Sequence, residues 1–209
     1  MVKGTILVFG AHPDDMEIGA GGTLVKLHEE NYDIYPVIGT VPGDASTVET
    51  RLKEAEESAR CFSKNKPIIL VDDPHQLDFN RKLIGKIDEI MVRIKPDTVF
   101  THWLGDSHQD HIKLTQSVIS ASRNNDMDIL MYERTIPGTI TNASFKAQLF
   151  VDVTGQFEDK IKALNMHFSQ VKKYGDKLIE ALRGRAAYNG YFIGKKYAEV
   201  FEIIRIKKW

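Results

Sequence analysis

Apolar residues along the chain alternate between short β-rich runs and longer stretches with helical spacing. Residues 5–9 form a continuous apolar run, which is typical of a strand buried on both faces. Residues 16–30 follow with apolar side chains at helical spacing. The same succession continues, with further strands predicted at 33–39, 66–71, 98–101 and 129–132 and helices at 47–62, 77–94 and 111–123.

This alternation predicts an α/β fold, a Rossmann-like three-layer sandwich with a mainly parallel central sheet and right-handed crossovers. The last part of the chain departs from the rhythm, with strands predicted at 148–153 and 199–206 and helices at 158–170 and 172–187. No linker, repeat or low-complexity segment divides the sequence. Because 209 residues suit one domain at the usual scale of ~100–200 residues, we predict a single domain over residues 1–209.

Composition excludes several classes of protein. A formal net charge of -1 argues against nucleic acid or an anionic membrane as the main partner. Cys61 is the only cysteine, so no internal disulfide and no cysteine-ligated zinc site can form. No apolar run approaches the ~20 residues of a membrane span, and the polar motif that follows the first strand is wrong for a signal peptide. We therefore expect a soluble, cytoplasmic protein.

One histidine and two carboxylates directly follow the first predicted strand, at His12, Asp14 and Asp15. Adjacent carboxylates repel and resist desolvation unless a cation or hydrogen bonds compensate. His12 and Asp15 offer the nitrogen and oxygen ligands that suit zinc and related divalent ions, which leaves Asp14 for acid–base chemistry. Considered alone, the motif could equally be a turn with helix-capping aspartates.

The glycines after this motif raise the alternative of a dinucleotide-binding turn. That alternative fails on spacing, because the position for the third glycine after Gly19 and Gly21 is Leu24. No glycine-rich turn directly follows the strand either. We expect the glycines instead to let the first helix pack closely against the sheet.

A second polar cluster, residues 102–111, follows the fourth predicted strand. Ligands of open α/β sheets bind outside the carboxyl ends of the strands, where the strand order reverses. If the first and fourth strands are neighbours, both clusters meet in one crevice. His12, Asp15 and one histidine of the second cluster would then provide three metal ligands and leave an open position. Asp106 is expected to accept hydrogen bonds within its loop.

With both clusters in view, the chain resembles the LmbE-like (PIG-L) zinc-dependent N-deacetylases. The resemblance rests on Ala-His-Pro-Asp-Asp at residues 11–15 with Glu17 and the following glycines, and on Asp-Ser-His-Gln-Asp-His at 106–111. Weaker matches at 51–54, 167–170 and 198–201 extend it over nearly the whole chain. Gln109 departs from the pattern, since the family often has proline there.

The resemblance implies the metal ligands and their setting. His12, Asp15 and His111 would bind zinc, although another divalent first-row metal could take its place. His102, which lies closer to the end of the strand, is an alternative to His111. Asp110 would orient a histidine through a hydrogen bond.

The resemblance also implies the reacting groups. Asp14 would be the general base that takes a proton from water. His108 would stabilise the oxyanion and protonate the leaving amine. Arg51 would bind the substrate, through a sugar hydroxyl or an attached acidic group.

The implied function is hydrolysis of an N-acetyl group on an N-acetylglucosamine-type sugar conjugate, giving a free amine and acetate. The chemistry is coherent by itself, because zinc, a carboxylate and a histidine supply the nucleophile, the polarised carbonyl and the proton that amide hydrolysis needs. The alternatives are hydrolysis of another amide or acyl group and a non-catalytic metal- or sugar-binding relative. The expected partner is a small N-acetylated sugar or glycoconjugate, with homo-oligomerisation left open. Specificity is expected from loops at 41–48, 71–77 and 134–147.

Overall fold

A computed structural model describes residues 1–43, 46–73, 76–133 and 143–207. The strands in these residues are β1 (Thr5–Gly10), β2 (Asp33–Ile38), β3 (Ile68–Ile69), β4 (Thr98–His102), β5 (Asp128–Tyr132), β6 (Leu149–Asp152) and β7 (Ala198–Arg205). The helices are α1 (Asp15–Glu29), α2 (Val48–Ala59), α3 (Arg81–Ile94), α4 (Gln109–Ala121), α5 (Phe157–Asn165), α6 (Phe168–Tyr174) and α7 (Asp176–Phe192).

The strands form one sheet in the order β3-β2-β1-β4-β5-β7-β6. Neighbours from β3 to β5 run parallel, whereas β7 is antiparallel to both β5 and β6. The order of the strands along the chain reverses between β1 and β4, which is where ligands bind in open α/β sheets. The predicted Rossmann-like architecture with a mainly parallel sheet is confirmed.

The two faces of the sheet bury separate apolar cores because successive strand residues point to opposite sides. Leu7 and Phe9 of β1 join the core that α3 and α4 cover, whereas Ile6 and Val8 join the core beneath α1 and α2. On the face of α1 that points away from the sheet, Ile18 packs against the helices α5 and α7. Full burial of such side chains contributes roughly 1.5–3 kcal/mol each, so this layering holds the sheet edge in place.

Several element boundaries differ from the predicted ones. The third helix begins at Arg81 rather than at 77, because Asn80 Oδ1 accepts a hydrogen bond from the Leu83 N–H (3.0 Å) and caps the helix. The predicted helix 158–170 is divided into α5 and α6, with His167 between them. Residues 44–45, 74–75 and 134–142 of the expected specificity loops lie outside the described residues. Within the described ranges, no helix is long and apolar enough to cross a membrane.

Candidate active site

The two polar motifs meet at the crevice between β1 and β4. His12 follows the end of β1, and its imidazole lies 4.9 Å from that of His108 and 5.6 Å from that of His111, measured between ring centroids. Both histidines belong to the segment that follows β4. The expectation that the first and fourth strands are neighbours and bring the motifs together is confirmed.

The start of α1 gives the two adjacent aspartates different positions, Asp14 at the N-cap and Asp15 as the first residue of the helix. Asp14 occupies the N-cap position with a left-handed backbone (φ 96°), and its side chain makes no capping hydrogen bond. Asp15 Oδ2 accepts the N–H of His12 at 2.8 Å, which closes the turn. Aspartate tolerates the left-handed region better than most residues, and such backbone strain is concentrated at functional sites. The capping role considered for Asp14 is therefore not performed by its carboxylate.

His111 has the geometry of a metal ligand. Its Nδ1–H donates to Asp106 Oδ2 at 2.9 Å, and its Nε2 lies 3.5 Å from Asp15 Oδ1. The Nε2 atom is buried and has no hydrogen-bond partner among the described residues. A buried polar atom without a partner costs free energy unless a ligand satisfies it, so a divalent metal fits here.

His12 presents its two ring nitrogens to different carboxylates. Its Nε2–H donates to Asp110 Oδ2 at 3.1 Å, whereas its Nδ1 lies 3.5 Å from Asp15 Oδ2. The histidine that Asp110 contacts in this way is His12. The ring orientation leaves Nδ1 on the side of Asp15, so that this nitrogen and the Asp15 carboxylate could bind the same metal ion.

Two groups of side chains in the described part of the chain bring their ligand atoms within 4.8 Å of one another: His12, His108 and His111 in one, and Asp15, His102 and His111 in the other. His111 is common to both groups. His102 Nε2 accepts the Ala11 N–H at 2.9 Å and lies 3.2 Å from Asp15 Oδ2, so this nitrogen is already engaged by the protein. The predicted trio of His12, Asp15 and His111 takes members from both groups, and the engaged Nε2 of His102 favours His111 as its third member.

The environments of Asp14 and Asp15 drive their pKa values apart. Burial and the neighbouring Asp15 charge raise the pKa of Asp14 to about 7. Burial also opposes ionisation of Asp15, but the charges of His111 and His102 hold the pKa of Asp15 well below its usual value. Pairs of titratable groups whose pKa values diverge identify acid–base assignments. Asp15 is therefore the anionic ligand candidate, and Asp14 is the base candidate.

His108 caps α4 and faces the same crevice. Its Nδ1 accepts the Asp110 N–H at 3.2 Å, so its other nitrogen, Nε2, is the one that can carry a proton toward a substrate. Burial and the charges of His111 and His12 lower the pKa of His108. The helix begins at Gln109, a position at which proline is favoured, and glutamine preserves the helix start without removing a functional group.

Arg51 lies beneath the crevice and is only 3% exposed. Its Nη1 donates to Pro42 O at 2.8 Å, and its Nη2 lies 3.5 Å from Pro13 O. The guanidinium thus bridges the loops that follow β1 and β2. Its charge also lowers the pKa of Asp14 in part, against the dominant effects of burial and Asp15. A contact between Arg51 and substrate stays a prediction.

Asp106 and Glu17 make contacts in the structure that the sequence did not predict. Asp106, expected only to accept hydrogen bonds in its loop, also holds the ring of His111 in addition to accepting the His108 N–H at 3.1 Å. Glu17 accepts a hydrogen bond from Ser58 Oγ at 2.5 Å and one from His167 Nε2 at 3.1 Å. The second of these contacts spans 150 residues of sequence, and no local pattern reveals it.

Histidines and a carboxylate that could hold a metal, beside a second carboxylate that could act as a base, at the reversal point of an α/β sheet, are an arrangement typical of metal-dependent hydrolases. The family profile described as PIG-L, GlcNAc-PI de-N-acetylase, matches residues 7–122. The chain is also 32% identical to the uncharacterized deacetylase YaiS of Escherichia coli over 173 residues, which cover 78% of this chain and 90% of YaiS. The protein belongs to the PIG-L family.

Two further relatives agree with this assignment. Diacetylchitobiose deacetylase of Thermococcus kodakarensis is 29% identical over 93% of this chain and 80% of its own. The structure of N,N'-diacetylchitobiose deacetylase from Pyrococcus horikoshii superimposes with a TM-score of 0.78 at 28% identity, covering 96% of this chain and 83% of its own. The resemblance drawn from the two motifs is confirmed, and the protein is an N-deacetylase hydrolase.

Proposed function

We propose that this protein is a zinc-dependent N-deacetylase that hydrolyses the acetamide of an N-acetylglucosamine-type sugar or glycoconjugate. The observation that carries the proposal is the division of labour between two adjacent aspartates. Asp15 lies in the ligand group with a depressed pKa, whereas the pKa of Asp14 is about 7. A metal-binding protein without catalysis needs the first aspartate but not the second.

His12, Asp15 and His111 would hold the ion, through the histidine nitrogens that face the Asp15 carboxylate. Imidazole and carboxylate ligands suit zinc, and another first-row divalent ion could replace it. When bound, zinc would polarise the amide carbonyl and acidify the attacking water. Asp106 and Asp110 each accept a hydrogen bond from the ring nitrogen on the far side of a ligand histidine. Such contacts fix the ring orientation and raise the basicity of the ligand.

The remaining steps belong to two side chains. Asp14 takes a proton from the water as its oxygen adds to the acetyl carbon, and a pKa of about 7 suits a base that works near neutral pH. His108 stabilises the negative charge that develops on the acetyl oxygen. It then gives its Nε2 proton to the nitrogen as the carbon–nitrogen bond breaks, and the proton that Asp14 took from the water replaces it on the imidazole, which returns Asp14 to the carboxylate. The products are acetate and a free amino sugar.

The substrate class follows from the relatives, two of which are diacetylchitobiose deacetylases. A short N-acetylated glucosamine saccharide or a glycoconjugate with that group is the partner we propose. Arg51 would contact it from the loops that it bridges. Cytoplasmic location and self-association stay predictions from the sequence.

The test uses purified protein stripped of metal and reloaded with zinc. We expect about one ion per chain, release of acetate and amine from N-acetylated glucosamine sugars, loss of turnover on chelation and recovery with zinc. His12→Ala should lose both metal and activity. His28→Ala is the control, because His28 lies in the last turn of α1, at the other end of the helix from the site. This variant should lose neither metal nor activity. Absence of metal after every loading condition, or turnover restricted to other acyl groups, would contradict the proposal.

A further inference from the structure

The end of β1 is held differently on its two sides. Toward β2 the backbone ladder continues beyond the strand, because the Gly39 N–H donates to Gly10 O (2.8 Å) and the Thr40 N–H donates to Ala11 O (2.9 Å). Toward β4 the backbone pairing ends with Val8 opposite Phe100. The strands β1 and β4 therefore part at their carboxyl ends, which opens the crevice that contains the site.

Two buried side chains replace the backbone partners on the open side. His102 Nε2 accepts the Ala11 N–H at 2.9 Å, and the Tyr132 hydroxyl donates to Phe9 O at 2.6 Å. Buried backbone groups need such partners. Both side chains are fully buried, and they come from the last residues of β4 and β5. We call His102 and Tyr132 the side-chain clamp.

The clamp is packed tightly against the site and against α1. The His102 ring stacks on that of His111 at 3.8 Å and lies 4.9 Å from the Tyr132 ring, measured between centroids. The Tyr132 ring in turn lies over Gly19, where an added Cβ would overlap it. The expectation that the glycines let α1 approach the sheet closely is confirmed at Gly19, and the group that occupies the space is the clamp.

We propose that His102 and Tyr132 are positioning residues of this active site. They hold residues 9–11 at the separation from β4 that places His12 beside Asp15 and His111. In this role neither side chain binds the metal or the substrate, and His102 Nε2, which lies 3.2 Å from Asp15 Oδ2, also helps to position that carboxylate. A displacement of about 1 Å in a reacting group can cost ~10²-fold in rate, so a clamp directly before His12 controls both metal binding and turnover. The activity readout rests on the proposed sugar substrate, whereas the metal readout rests only on the proposed ligand group.

Tyr132→Phe tests the clamp without altering a side chain that could bind metal, and Ser63→Ala is its matched control. The Ser63 hydroxyl also donates at 2.6 Å to a buried strand carbonyl, that of Ile34, near the opposite end of the sheet. It additionally bonds the backbone of Asn65. Ser63→Ala should therefore cost at least as much stability, which separates positioning from general weakening.

We expect Tyr132→Phe to weaken zinc binding and to lower kcat, each about tenfold, with KM near that of the unmodified protein. Zinc affinity is measured by competition with a chromophoric chelator, and it needs no turnover. Ser63→Ala should change neither quantity. If Tyr132→Phe matches Ser63→Ala in zinc affinity, the proposal is overturned, whether or not the sugar substrate is correct.

A rescue experiment tests His102. His102→Gln retains a side-chain acceptor for the Ala11 N–H, whereas His102→Leu removes it. We expect glutamine to restore zinc affinity at least severalfold relative to leucine. Equal affinity of the two variants would overturn the role assigned to His102. Weak binding in both variants combined with full affinity in Tyr132→Phe would show instead that His102 is a metal ligand.

Discussion

Two clusters of buried charge flank α1 and differ in how completely their polar atoms are paired. Beside the middle of the helix, the Glu199 carboxylate accepts hydrogen bonds from the N–H groups of Gly22 (3.0 Å) and Thr23 (2.7 Å) and from Lys160. Lys160 Nζ also donates to Ile18 O at 2.9 Å. At the start of the helix, the crevice cluster leaves His111 Nε2 without a hydrogen-bond partner among the described residues.

Burial of charge is therefore not in itself a sign of function in this protein. In the Glu199–Lys160 cluster the carboxylate and the ammonium satisfy each other and the backbone, as a structural ion pair must. In the crevice cluster the pairing is incomplete and the pKa values of neighbouring carboxylates diverge, which is typical of a site that awaits a ligand. The predictions below test this contrast by removing one group at a time.

The largest effect is expected from Asp14→Asn in the crevice cluster. Asparagine retains the shape of the side chain but cannot accept the proton from water. We expect kcat to fall by ~10²–10⁴-fold, as is usual for acid–base residues, while zinc content stays unchanged. Asp15→Asn is the neighbouring comparison and should lose zinc. Full turnover by Asp14→Asn with an N-acetylated sugar would contradict the mechanism.

Glu199→Ala should have the opposite consequence, a loss of stability rather than of chemistry. It leaves Lys160 buried without its counter-charge, and breaking such a pair costs ~3–5 kcal/mol of unfolding free energy. The folded fraction should retain its kcat. Glu158→Ala, which breaks the exposed pair with Arg183, is the control and should change stability little. Denaturant unfolding provides the measurement, and equal stability of the two variants would refute the contrast.

Asp106→Asn should weaken zinc binding without abolishing it. The carboxylate accepts the His111 Nδ1–H at 2.9 Å, and the loss of such outer contacts lowers metal affinity ~10–100-fold. Asp33→Asn is the control, because Asp33 accepts from Asn65 Nδ2 away from the site. Chelator competition measures both proteins. Wild-type affinity in Asp106→Asn would show that the ring of His111 is held by packing alone.

The smallest effect concerns the buried pair Glu17 and His167. Burial opposes both charges, but His167 lowers the pKa of Glu17 below 4.5, and Glu17 raises the pKa of His167 above 6.5. Glu17 thus adds stability above pH 4.5 that is lost as the pH falls through its lowered pKa. His167 adds stability below pH 6.5 that is lost as the pH rises through its raised pKa.

The unfolding free energy of the metal-free protein should therefore exceed that of His167→Gln most strongly between pH 4.5 and pH 6.5. The excess should shrink as the pH rises further. His28→Gln is the control for a histidine outside this pair. A difference between the unmodified protein and His167→Gln that stays constant from about pH 5 to about pH 9 would refute the ionic character of the pair.

Local patterns were sufficient for much of the fold and for the candidate ligands. The apolar runs of β1 and β4 and the helical spacing of α1 are properties of short stretches, so the α/β alternation could be predicted from them. His12, Asp14 and Asp15 are likewise adjacent in sequence. The start of the third helix also depends on a local signal, the favoured cap residue Asn80, but the apolar period used alone placed that start four residues before Arg81.

The sequence by itself determined the order of strands and helices, the two polar motifs and the chemical types of the candidate ligands, because each depends on neighbours within a few turns of chain. Only the tertiary structure decided which groups meet: Tyr132 with Phe9 across 123 residues, and Glu17 with His167 across 150. It also decided that Asp106 rather than Asp110 holds His111. Such partners are selected by packing and by the need to satisfy every buried polar group, which are conditions on the whole fold rather than on any segment.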